Sequence, residues 1–461
     1  MGHLKVIRFV FICGLWAATA LGVAAQEPRP SPLLPAKPPT TVAPVLMPFP
    51  TAAGDSPELR DDVEILPLPT PTPIYGRLGM LVETLDGQAI RAESSEQLFN
   101  PASAIKLATA LDALQTFGPE HRFATVLWTN GTLDQATGTI AGDLIVSGRD
   151  PSFHDEHAVE LARELNRLGI RIVTGDLIVA PRFTLNFSSS SQRSGERLYD
   201  TLDAERRPAA ATRAWYDSRI VRGQQATLPT VPSVAVMGAV YVESVPAGAR
   251  MLLTHRSSAL VDVLKVLLCY SNNFMAERLG DTMGGPAGLQ QFLISKVGVS
   301  PFEVQLATTS GLGVNRVSPR AMMKIYRALV AELDRHDLTP ADILPVAGVD
   351  PGTLQKRFTA GLARASVIAK TGTLIRTDAG ASALVGQLRT RNGETLLFVI
   401  FNQRGSVWRF RNMQEQLISE IQFARGGPAP FAYTPVTLAM RLADTETKAT
   451  RNSDEYEATP N

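Results

Sequence analysis

The sequence predicts a mixed α/β fold: an antiparallel five-stranded sheet flanked by helices, interrupted by an inserted α/β region. Three observations carry this. GRLGMLVETL and QAIRAES flank Asp86-Gly87, a strong hairpin signal that opens the folded part near Ile74. ASVIAKTGTL, GASALVGQL and TLLFVIFNQ read as three successive strands near the other end, followed by a helical FRNMQEQLISEIQFAR. Between them, GTIAGDLIVSG and RIVTGDLIVAP bracket the amphipathic DEHAVELARELNRLG, which predicts a strand–helix–strand unit.

In chain order, residues 1–25 have a basic start (Lys5, Arg8), an apolar stretch and the small-residue ending Val23-Ala24-Ala25. That is the layout of a secretory signal peptide, with an uncleaved anchor as the alternative, and it predicts an extracytoplasmic or periplasmic protein without a later membrane span. Residues 26–73 hold 14 of the 32 prolines and read as a linker. The first catalytic segment is expected at 74–124, with Asn100 as helix N-cap and Pro101 as first helical residue. An insert follows at 125–250, of which 186–230, polar and arginine-rich, is expected to be a mobile excursion. SSALVDVLKVLLCY and RAMMKIYRALVAEL predict helices in the second catalytic segment, 251–426. Residues 427–461 read as a loose polar tail.

The formal net charge of +1 argues against a nucleic-acid partner. Of the two cysteines, Cys13 and Cys269, only the second lies beyond the signal segment, so no internal disulfide is expected in the processed chain.

NPASAIKLATALDAL, residues 100–114, carries the chemistry. Ser103 and Lys106, at i and i+3, share a helix face. Ser103 in the first turn lies where free N–H groups favour developing negative charge. Lys106 between Ile105 and Leu107 would lose hydration and approach a usable base. Alone this is weak, because Ser-x-x-Lys arises by composition about once or twice in such a chain. Ser271-Asn272-Asn273 and Lys370-Thr371-Gly372 change the weighing, since Lys-Thr-Gly arises by chance about one time in ten. Ser-x-x-Lys, Ser-x-Asn and Lys-Thr-Gly each occur once, in that order, and the trio is the signature of penicillin-binding proteins and class A β-lactamases.

LFNPASAIKLATALDALQTFGPEHRF, GDLIVSGRDPSF, SNNFMAERLG, SGLGVNRVSP, LPVAGVDPGTLQKRF and AKTGTL together resemble the D-alanyl-D-alanine carboxypeptidase/endopeptidase family of class C low-molecular-mass penicillin-binding proteins, the peptidase S13 type, over roughly 74–425. The resemblance implies the penicillin-binding-protein/serine β-lactamase-like transpeptidase fold and an acyl-enzyme on Ser103, with Lys106 accepting its proton and no metal or other cofactor. It implies that Ser271 relays a proton to the leaving amine and Asn273 binds the substrate amide. Lys370 and Thr371 would line the cleft, Gly372 would admit the substrate backbone, and Thr373 would help to hold the terminal carboxylate. The N–H groups of Ser103 and Thr373 would form an oxyanion hole. Peptidoglycan stem peptides ending in D-Ala-D-Ala are the implied substrates and β-lactams the inhibitors.

The departures are specific. Thr308-Thr309-Ser310-Gly311-Leu312 stands where relatives often read Asp-Gly-Ser-Gly-Leu, so Ser310 is carried over without its acid. Ser103 and Ser271 lie 168 positions apart, short for two inserted domains. Tyr270-Ser271-Asn272 also reads as Tyr-x-Asn, one residue out of register. His154-Asp155-Glu156-His157 is better explained as a solvated helix start than as a metal site. A serine β-lactamase and a non-catalytic peptidoglycan-binding protein are the alternatives on the same fold.

Overall fold

A computed structural model describes residues 76–224 and 230–450. The segments read as signal peptide and proline-rich linker lie outside the described residues. Two sheets organise the rest.

The catalytic sheet forms from both ends of the chain. Strands β1 (Arg77–Thr84) and β2 (Ala89–Glu93) make the expected hairpin. The chain then runs through helix α1 (Lys106–Phe117) into the second sheet. There it lays down β3 (Ala124–Thr129), β4 (Leu144–Gly148), α2 (Asp155–Arg167), β5 (Leu177–Val179), α3 (Ser191–Leu202), α4 (Ala209–Val221), β6 (Val240–Val242) and β7 (Arg250–Arg256). It returns through α5 (Leu260–Tyr270), α6 (Asn273–Thr282), α7 (Gly285–Ser295) and α8 (Pro319–Asp334). Strands β8 (Val367–Leu374), β9 (Ala381–Arg389) and β10 (Thr395–Gln403) and helix α9 (Val407–Phe423) complete the catalytic unit. Helix α10 (Leu438–Ala443) and strand β11 (Glu446–Ala449) follow.

The strand order β8-β9-β10-β1-β2 is antiparallel throughout, because β1 pairs with β10 across most of the chain. Its inner strands read as continuous apolar runs because helices cover both faces. Leu81, Val385, Val399 and Phe401 pack with α1, α5 and α8. Met80, Val82, Leu384, Phe398 and Ile400 pack on Leu417, Ile418 and Ile421 of α9. Helix α1 is buried from Lys106 to Leu114, so it is apolar nearly all round, as a helix enclosed by core must be.

The second sheet, β6-β5-β4-β3-β7-β11, has a separate core formed with α2 and α3. Strands β4 and β5 are parallel with α2 between them, as the strand–helix–strand pattern predicts. Two expectations fail. The segment read as a mobile excursion contains α3 and α4, with Leu198, Leu202, Ala211 and Trp215 buried. The tail read as loose is structured through Thr450. Its strand β11 pairs with β7, Arg441 pairs with Asp262 on α5 at 2.7 Å, and Tyr433 donates to buried Asp350 at 2.8 Å.

Candidate active site

Asn100 and Pro101 start the Ser103 segment differently from the expected N-cap and first helical residue. Asn100 Oδ1 accepts the Ala102 N–H at 3.0 Å, and a 3₁₀ turn, Ala102–Ile105, precedes α1 with Pro101 at its N-cap. Ser103 thus lies in a 3₁₀ turn, where side chains at i and i+3 eclipse. That places Lys106 Nζ 2.9 Å from Ser103 Oγ. Ala102, directly before the serine, holds φ +45°, a left-handed conformation costly for a residue with a Cβ.

Lys106 is fully buried, and its Nζ also reaches Asn273 Oδ1 at 2.7 Å and the Ser310 carbonyl at 2.5 Å. Both are pure acceptors. A neutral amine has two protons for them and one lone pair, which then faces the Ser103 hydroxyl as its acceptor. Desolvation pushes the Lys106 pKa down to about 7, against the opposing pull of the Glu277 carboxylate.

Ser271 and Asn273 are delivered by a helix–helix corner. Ser271 ends α5 in the left-handed conformation, and Asn272 caps α6 by accepting the Met275 N–H at 3.0 Å. Asn273 then points at Lys106 from the first turn of α6, while Tyr270 is half-exposed. The corner is braced from behind. Thr353 N–H bonds the Cys269 carbonyl at 2.9 Å, and Asp350 accepts from buried Lys265 at 2.7 Å. Cys269 is free and buried, its thiol pushed up to about 12 by desolvation.

Strand β8 is an edge strand and contributes from both faces. Lys370, fully buried, donates to Ser271 Oγ at 2.8 Å and to the Thr371 carbonyl at 2.6 Å. Burial, and next the nearby Lys106, holds it well below the usual lysine range. Gly372 lies on the same face, where a Cβ would come within 2.6 Å of the Pro101 carbonyl and 3.0 Å of Ala102 Cβ. Its side-chain hydrogen is therefore demanded by the turn carrying Ser103. Thr371 and Thr373 alternate to the α9 face, and Arg411 Nη2 of that helix donates to Thr373 Oγ1 at 2.8 Å. Outward-facing backbone groups of β8 are met by the 345–347 segment only at its start, through Ala347 N–H to the Val367 carbonyl and Ala369 N–H to the Pro345 carbonyl. By the two-residue period, Thr371 and Thr373 present their N–H groups along the same edge.

Ser310 reaches Lys106 through its backbone rather than its hydroxyl, which accepts the Leu312 N–H at 3.2 Å. Thr308 closes the loop: its Oγ1 accepts the Gly311 N–H at 3.1 Å and donates to the Leu312 carbonyl at 2.8 Å. Glu277, which sequence reasoning missed, holds the loop through the Ser310 N–H at 3.0 Å and the Thr309 hydroxyl at 2.9 Å. Also unforeseen is an ion pair at the rim, where Asp378 accepts from Asn100 at 2.7 Å and pairs with Arg316 at 2.7 Å. At His154–His157, the ring of His157 accepts the His154 N–H at 3.1 Å and caps α2. His154, Glu156 and His157 place three possible metal donors within 4.8 Å of one another, one fewer than a closed zinc site takes.

The profile of the D-Ala-D-Ala carboxypeptidase 3 (S13) family matches residues 75–222 and 230–420. The chain belongs to this family. Among relatives, a carboxypeptidase of Mycobacterium tuberculosis is 28% identical over 444 residues, covering 87% of this chain and 90% of its own length. A D-alanyl-D-alanine carboxypeptidase of an Actinomadura species is 27% identical, over 84% of this chain and 85% of that one. Among solved structures, a penicillin G-acylated predatory endopeptidase of Bdellovibrio bacteriovorus shares the fold with a TM-score of 0.67 at 22% identity, covering 79% of this chain and 97% of that one. Penicillin-binding protein 4 of Haemophilus influenzae does so with a TM-score of 0.56 at 23% identity, over 75% and 97%. The family match ends before the segment that carries Tyr433, α10 and β11.

Proposed function

We propose that this S13-family chain is a serine D-Ala-D-Ala carboxypeptidase that works through an ester on Ser103. Lys106 takes the Ser103 proton as Oγ attacks the carbonyl between the two terminal D-alanines. The oxyanion forms against the N–H groups of Ser103 and Thr373. Ser271, held by Lys370, passes a proton to the departing D-alanine nitrogen, and water then cleaves the ester. The substrate lies along the open edge of β8 as an added strand. Asn273 binds its amide, with Lys370, Thr371 and Gly372 lining that edge. Thr373 and the neighbouring Arg411 meet the terminal carboxylate. The observation that carries the reading is Lys106 Nζ, 2.9 Å from Ser103 Oγ and within hydrogen-bond reach of the Asn273 side-chain and Ser310 backbone carbonyl oxygens.

Peptidoglycan stem peptides are the substrate class, and D,D cross-links, which present the same bond in a branched chain, are the second substrate to assay. The signal-like residues 1–25 support an extracytoplasmic, periplasmic location, and among the described residues no helix is long and apolar enough to cross a membrane. The 125–250 region is read as a shortened insert.

Intact-mass spectrometry over time with benzylpenicillin, followed by peptide mapping, tests the proposal. A persistent adduct on Ser103 is expected. An adduct lost within seconds would make the protein a β-lactamase, and no adduct on folded protein would leave a non-catalytic binding protein.

A further inference from the structure

Three arginines meet where α6 faces the second sheet. Arg149 follows β4, Arg182 follows β5, and Arg278 lies on α6; with Thr184, Asp281 and Thr282 they line a small surface hollow with room for about one water molecule. Asp281 is the one acid among them and is engaged by Arg278 at 3.0 Å. The exposed side chains of Arg149 and Arg182 make no hydrogen bond or ion pair with any described residue. The lining therefore keeps about two uncompensated positive charges in a concave site, an arrangement that attracts an anion.

Arg278 lies on the helix whose first residue, Asn273, reaches Lys106. The Arg278 guanidinium lies 5.6 Å from the ring of Phe274, the residue after Asn273. Phe274 itself meets Phe187 of the inserted region, with ring centroids 5.6 Å apart. Along α6, Arg278 to Thr282 lie about 8–13 Å beyond Asn273. An extended peptide covers that distance in about two to four residues.

We propose that Arg149, Arg182 and Arg278 form a carboxylate-binding subsite for an acidic residue of the peptide substrate, two to four residues upstream of the scissile D-Ala-D-Ala bond. This rests on the carboxypeptidase reading. It assigns the inserted region a part in substrate choice: two of the three arginines come from that region, and the third comes from the helix that begins with Asn273.

The test compares acetyl-Glu-Lys-D-Ala-D-Ala with acetyl-Gln-Lys-D-Ala-D-Ala. Calorimetric binding to the Ser103→Ala protein at low salt needs no turnover. Binding of the glutamate peptide about tenfold tighter is expected, with the preference falling toward one after Arg149→Gln/Arg182→Gln and fading as salt is raised. Both substituted side chains are exposed, so the fold is retained. No difference between the peptides, including no binding of either, overturns the subsite, as does a preference that survives the double substitution. D-alanine release by the Ser103 protein is measured beside it. Release without discrimination refutes the subsite and keeps the carboxypeptidase. Discrimination without release refutes the carboxypeptidase and keeps the subsite.

Discussion

Lys370 Nζ donates to Ser271 Oγ at 2.8 Å, so the candidate site contains two serine–lysine pairs, each with its lysine fully buried. The charge of each lysine opposes that of the other. On the proposed mechanism, one pair creates the nucleophile and the other supplies the leaving group with a proton. Ser271→Ala keeps the first and breaks the second. D-alanine release should fall about 10²- to 10⁴-fold, the range of a lost general acid, while the Ser103–Lys106 contact persists. An unchanged rate in steady-state assays would remove Ser271 from the proton path.

Lys106→Met keeps the length of the side chain and removes the amine. Acylation by benzylpenicillin should fall by at least about 10³-fold with a thermal midpoint close to that of the unsubstituted protein. Stopped-flow acylation and a melting curve check the two halves. Full acylation of a well-folded variant would exclude Lys106 as the base.

The protonation state of Lys106 sets a pH dependence. Its pKa of about 7 means that the amine is charged below neutrality and neutral above it, so acylation should rise as pH passes through about 7. Glu277 favours the charged form. Glu277→Gln should therefore move the midpoint to lower pH, whatever it does to the maximal rate through the 309–310 loop. A midpoint that stays put or moves upward contradicts the assigned coupling.

Arg411 is the cation beside Thr373. Glu415, one turn along α9, is held instead by Arg357 at 2.6 Å, so Arg411 has no carboxylate partner among the described residues. Arg411→Gln should raise KM for a peptide ending in a free carboxylate by about tenfold and leave that of its C-terminal amide unchanged. Equal effects on both peptides would mean that Arg411 only supports the strand.

Lys265, Asp350 and Tyr433 form a largely buried trio behind the Ser271 corner. Asp350→Ala should cost about 3–5 kcal/mol, because the Lys265 charge is left buried without its counter-ion. Tyr433→Phe should cost about 1.5–3 kcal/mol, the loss of one hydrogen bond to a charged group. Denaturant titration gives both values, and a smaller loss for Asp350→Ala than for Tyr433→Phe would reverse the roles assigned to the trio.

The catalytic sheet was legible because its strands are apolar enough to be covered on both faces, and the hairpin at Asp86-Gly87 has a turn that only a few residues can make. Ser103, Lys106, Ser271 and Lys370 were legible because their spacing is tied to local geometry or to a shared motif. Helix α3 was not, since its buried face uses Ser194, Gly195 and Thr201 beside only Leu198 and Leu202, a composition that mimics a loop. Strand β11, Glu446–Ala449, carries no apolar alternation and is recruited by the edge of β7. Glu277 and Arg411 look like solvated helix residues in the sequence. Only the fold brings one to the 309–310 loop and the other to Thr373.

The pairing of β1 with β10 joins residues about three hundred positions apart, and β11 is added to the second sheet only after residue 446. The catalytic sheet cannot close before Gln403 has been made, nor the second sheet before Ala449. Such a chain folds late and slowly, because closing very long loops must precede any reward from strand pairing. Until then it presents open strand edges to its surroundings, among them β7, whose outer partner arrives last. Shielding those edges until residues 395–449 arrive is therefore the task this topology sets for a chaperone.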